Sequence, residues 1–160
     1  MLIPKWVRVW ISVAGTALVL GGAAWLAKLA VVVATDGRVT ATVAAGAYFT
    51  LGLVLILIGS TGAGLRLTMN GETVSQLLGI VLSPVMFVAS FMLLQGIVWG
   101  LLGVVETVAS GVGPDYVREE AIILLTAVAS LVVGAMLLGG LVRGSRITAP
   151  VDPEPDGPSS

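Results

Sequence analysis

Four stretches of this chain run for longer than a bilayer is thick with almost no charge in them. They extend from about Val7 to Ala34, Thr40 to Gly64, Val74 to Val105 and Val117 to Val142. Each is near or above the roughly 20 residues that a helix needs to cross about 30 Å of hydrocarbon. In lipid every backbone amide must be satisfied within its own segment, so such stretches are expected as α-helices. The rest of the composition agrees: 57% of the 160 residues are hydrophobic, 11% are charged, and the mean hydropathy is +1.07. A soluble domain carries about 25% charged residues, and a chain this short has too much surface to hide the deficit. The expected fold is an all-α membrane protein, with four transmembrane helices in an antiparallel bundle joined by short loops.

The connections carry turn and cap chemistry. Asp36-Gly37 and Asn70-Gly71 break the first two pairs of stretches, and Gly113-Pro114-Asp115 precedes the last. Thr73-Val74-Ser75-Gln76 has the form of a capping box at the start of the third helix. Residues 1–146 therefore read as one four-helix transmembrane domain. Residues 147–160, rich in proline and acid, cannot bury apolar area and read as a disordered cytoplasmic tail. A basic start followed by Gly22-Ala23-Ala24 imitates a cleavable leader, but the apolar run continues to Ala34, beyond the length of a leader's apolar core, so it reads as a retained span.

Basic residues set the expected orientation. With the amino terminus inside, Lys5, Arg8, Arg66, Arg143 and Arg146 fall on the cytoplasmic side and only Arg38 and Arg118 outside. Five against two places both termini in the cytoplasm and the chain in the plasma membrane. Trp6 and Trp10 stand beside Lys5 and Arg8, as an interfacial aromatic belt requires.

Gly59-Ser60-Thr61-Gly62-Ala63-Gly64 fits half of a phosphate-binding loop. Leu65-Arg66 follows where lysine and a hydroxyl residue are needed, and the apolar run reaches back to Val43, too far for a strand. These glycines read instead as the cytoplasmic end of the second helix, where small residues admit a neighbouring backbone. Nucleotide is therefore not expected as a ligand, and a formal net charge of -1 gives no reason to expect nucleic acid. Similar small-residue faces recur: Gly96, Gly100 and Gly103 on the third helix, and Ser130 with Gly134 on the fourth. With Gly59 and Gly62 they are the expected helix-packing positions, open equally to intramolecular packing, a homo-oligomer or a larger membrane complex.

Chemistry-bearing residues are sparse. The chain has no cysteine and no histidine, so it lacks thiol nucleophiles and the commonest metal ligand and general base. No cofactor, metal site or catalytic residue is expected, and an enzyme is the least favoured reading. Lys28 is the one charge inside an apolar run, and Gln95 the strongest uncharged polar residue deep in a span. Gln95 shares one helical stripe with Pro84, expected to kink the third helix, and with Glu106 near its outer end. Two readings of Lys28 stay open: an ion pair with Glu106, or a side chain that snorkels to lipid phosphate while Glu106 is solvated. The leading functional expectation is a non-catalytic integral membrane protein, a structural, accessory or assembly subunit acting through helix faces. The alternative is a small transporter or channel subunit with a weakly polar path near Gln95 and Lys28.

Overall fold

The computed structural model describes residues 4–35, 43–108 and 116–146, excepting the side chains of 98, 102–108, 116–119 and 143–146. These residues form four helices: α1 (Lys5–Ala34), α2 (Val43–Leu67), α3 (Thr73–Val108) and α4 (Tyr116–Arg146). All four contain a segment long and apolar enough to cross a membrane. The connections at 36–42 and 109–115, and the proline- and acid-rich 147–160, lie outside the described residues.

α1 is the hub. It packs against α2 and α4, α2 packs against α3, and α3 meets α4 only sparsely. The reason is visible in the spacing of its buried residues. Val7, Ile11, Ala14, Leu18, Gly21, Trp25, Lys28 and Val32 are all buried and follow alternating steps of four and three, the repeat that keeps one seam of a helix against a neighbour. Small residues on the seam bring backbones together. A Cβ added to Gly22 would lie 2.7 Å from the Ala127 carbonyl oxygen of α4, and one added to Gly21 would lie 3.0 Å from the Gly52 oxygen of α2. Successive contacts run in opposite order along the paired helices. Gly15 meets Leu138 and Gly22 meets Leu131, while Gly21 meets Ile56 and Gly59 meets Leu18.

α2 runs as continuous helix through Gly59, Gly62 and Gly64, so no phosphate-binding turn is formed there. At its end Gly64 lies directly on Gly79 of α3, backbone to backbone, and a Cβ on Gly79 would sit 2.7 Å from the Gly64 oxygen. The turn to α3 corrects the expected capping box. Thr73 is already the first residue of α3. Gln76 donates its side-chain amide to the Met69 and Gly71 oxygens, 3.3 Å each, rather than back to the start of its own helix. Gln76 thereby serves two carbonyls of the turn between α2 and α3.

Pro84 lies inside α3, which continues as helix through it. A proline has no N–H for the carbonyl four residues earlier, here that of Ile80. The Ser83 hydroxyl donates to that oxygen at 3.4 Å, one of the ways a membrane helix accommodates proline.

Candidate functional site

Near the carboxyl end of α1, Lys28 sits on the inward seam, one turn beyond Trp25. Its ammonium donates a hydrogen bond to Oε1 of Glu120, in the second turn of α4. Both residues are buried, at 8% and 5% exposure, among apolar neighbours. The other carboxylate oxygen, Oε2, is buried with no hydrogen-bond partner among the described residues. The pair joins chain positions 92 residues apart, which makes it a direct tie between the first and last helices.

Among the described residues the partner of Lys28 is Glu120, an acid that the sequence reading did not pair with it, and Lys28 is turned inward rather than out to lipid phosphate. The side chain of Glu106 lies outside the described residues. Depth along the helix left both acids available, because each stands near the end of a helix at a similar level. Packing brings Glu120 within reach, because α1 lies along α4. The seam of α4 contains part of the signal, since Glu120 stands three residues before Ile123 and seven before Ala127, both buried.

Below the pair lies an aromatic cluster. Trp25 is fully buried and its indole N–H donates to the Phe49 oxygen of α2 at 2.9 Å. Its ring stacks on Phe49 at 5.4 Å, with an interplanar angle of 3°, and meets Phe91 of α3 at 5.9 Å and 54°. Phe91 stacks on Phe87 at 6.3 Å. Such contacts add roughly 0.5–1.5 kcal/mol per pair beyond area burial, and here they link three helices at one level. Closer to the amino end of α1, the Trp10 N–H donates to the Thr61 hydroxyl of α2 at 3.1 Å.

Deeper still, a cavity of about 210 Å³ opens among all four helices, with Leu18, Ile56, Ser60, Phe87, Thr126 and Ser130 in its walls. Its hydroxyls are turned to their own helices. Ser60 donates to Leu57, Thr126 to Ile122 and Ser130 to Thr126, at 2.7 to 2.9 Å. The cavity therefore offers weak acceptors and apolar walls rather than a row of free donors. Among the described residues no three His, Cys, Asp or Glu side chains gather as a metal site.

The small-residue positions divide sharply. Gly59 and Gly62 lie against Ala14 of α1, and Gly59 also against Leu18. Gly134 lies against Gly15 and Val19, and Ser130 is buried at 4% exposure. Gly96 and Gly100 have nothing among the described residues within 4 Å of a Cβ placed on them. Of the readings left open for these positions, packing within the chain finds no neighbour among the described residues, and the surroundings of Gly103 lie outside them. Gln95 is half-buried, and its amide has no hydrogen-bond partner among the described residues. None of the described residues of α3 is fully buried.

No protein-family model, curated protein or solved structure matches this chain. Its residues and their arrangement alone carry the functional reading.

Proposed function

We propose that the chain is a non-catalytic integral membrane protein, a structural, accessory or assembly subunit that presents α3 to a partner within the bilayer. The observation that carries this reading is the contrast between α3 and the other helices. α1, α2 and α4 each contain fully buried residues, whereas none of the described residues of α3 is fully buried; past its Gly79 crossing with Gly64, Gly96 and Gly100 face open space, as do Gly46 of α2 and Gly139 of α4. In lipid, helices associate through close packing at small residues and through polar side chains that find partners across the interface. Gln95, half-buried beside Gly96, supplies such a group.

A transport path through Lys28 and Gln95 draws less support. Lys28 is closed against Glu120, and the hydroxyls of the central cavity donate to their own helices. An enzyme draws less still, from a chain without cysteine or histidine.

Purification in a gentle detergent tests the proposal. The chain is expected to leave the membrane at fixed stoichiometry with a protein partner, or as a homo-oligomer, and Gly100→Leu should reduce the associated fraction severalfold. Recovery of the wild-type chain only as a monomer would count against it.

The proposed arrangement is an antiparallel four-span bundle in the plasma membrane, with both termini and the 147–160 tail cytoplasmic. Because the chain has no cysteine, single cysteines can be labelled without background. Positions 37 and 113 should react with an impermeant maleimide in intact cells, and positions 70 and 155 only after permeabilisation. Reaction of position 70 from outside would contradict the arrangement.

A further inference from the structure

The central cavity of about 210 Å³ has a buried floor and an exposed rim. Leu18, Ile56, Ser60, Thr126 and Ser130 form the floor, and all five are buried, Ile56 completely. Ala129 and Val133 of α4 are exposed, Phe87 of α3 is half-buried, and these three form the rim. The rim therefore lies where α3 faces α4, the two helices that meet only sparsely. The flanks toward α1 are tight. Gly134 of α4 lies against Gly15, Leu18 and Val19, and Gly59 of α2 lies against Ala14 and Leu18. Trp25, Phe49 and Phe91 tie α1, α2 and α3 together, and Phe91 stacks in turn on Phe87 at the rim. The cleft so bounded opens sideways between α3 and α4, part-way along helices of membrane length.

The walls select the occupant. Ser60, Thr126 and Ser130 donate their hydroxyl protons to carbonyls of their own helices, so they offer an entering molecule no donor, and none of the lining residues is charged. Wall atoms that face a void forfeit their dispersion contacts. Water does not restore them, since apolar cavities of about 150 Å³ stay dry yet accept apolar guests. We propose that this cleft takes an acyl chain of a bilayer phospholipid, which enters between α3 and α4 while its headgroup stays at the membrane surface. A side chain from a partner at α3 is the competing occupant, and the geometry of α3 disfavours it. Gly96 follows Phe87 by nine residues, about two and a half helical turns, so the Gly96 face points away from the cleft. A partner docked at Gly96 and Gly100 leaves the cleft to lipid. The inference rests on the membrane arrangement proposed above and not on a partner at α3.

The test uses the full chain reconstituted in phosphatidylcholine vesicles doped with a phosphatidylcholine whose acyl chain ends in a photoreactive diazirine. After irradiation the adducts are mapped by mass spectrometry of peptides. Exposed Leu20 should be labelled by bulk lipid, and buried Leu18 and Ile56 should be labelled as well, because the chain in the cleft reaches them. Ala129→Phe places a ring at the rim and should lower labelling of Leu18 and Ile56 severalfold, with Leu20 unchanged. Melting in detergent shows whether that variant folds, and Val133→Trp is a second rim block if it does not. Gly100→Leu, on the far side of α3, should leave labelling of the floor unchanged. Labelling of Leu20 without Leu18 or Ile56 would overturn the proposal. So would floor labelling that a folded rim variant does not lower, or that falls with Gly100→Leu. Absence of label from Leu20 as well would contradict the membrane arrangement, and the cleft with it.

Discussion

Replacing Lys28 or Glu120 singly by methionine should destabilise the protein by about 3–5 kcal/mol, and replacing both should restore most of the loss. The reason lies in what each single variant leaves behind. Both side chains are buried, and a lone ammonium or carboxylate in a buried position is costly to leave unpaired. Two methionines leave no charge and approximate the volume removed, which is why exchanging a buried pair for apolar side chains is often neutral. Oε2 of Glu120, already buried without a partner among the described residues, adds to the cost of retaining the acid alone. Equilibrium unfolding in mixed micelles gives the three free energies. Losses that add in the double variant would mean that the two side chains act separately, and Glu106→Gln serves as a control expected not to couple to Lys28. The pair's contribution is orientation as much as stability, because it holds the end of α1 against the start of α4.

The second large effect is expected at Gly64. A side chain there would run into the Gly79 backbone and lie 2.6 Å from the Ser83 hydroxyl oxygen. A backbone carbonyl cannot rotate aside as a side chain does, so α2 and α3 would have to separate. Gly64→Leu should therefore cost about 1–3 kcal/mol or more and lower the melting temperature in detergent. Gly100→Leu, with open space around it, should leave the melting temperature of the isolated chain close to wild type while weakening association. Equal melting of both variants would show that the Gly64–Gly79 crossing does not hold the helices together.

Much of the architecture was legible in the apolar runs, since lipid leaves helix as the only conformation for such segments. The predicted spans lie within the observed helices wherever residues are described; the expected start of the second at Thr40 lies outside the described residues. The helices otherwise extend further, because a polar helix end continues beyond the apolar run that reveals it. Lys28 was legible as the exceptional charge, and its place on the α1 seam could have been read from the alternation of four and three. Its partner was not legible from depth, which ranks Glu106 and Glu120 alike; the decision belongs to which helices touch. The same limit applies to the glycines. A small-residue face shows that a backbone can be approached, and it says nothing about what approaches. Thus Gly59 and Gly62 lie against Ala14, while Gly96 and Gly100 face none of the described residues. Gln76 shows a third kind of limit. Its spacing from Thr73 fitted a capping box, but its amide instead donates to the Met69 and Gly71 carbonyls of the turn.

Photo-crosslinking in native membranes is the most direct measurement of whether α3 is the presented helix. A photoreactive residue placed at position 100 should give one protein adduct of defined mass, either the dimer of this chain or its complex with a single partner. The same probe at Leu20, an exposed position on α1, should give lipid adducts only. Lipid adducts alone from position 100, with no protein adduct from neighbouring probes at positions 92 and 96, would contradict a role exercised through α3.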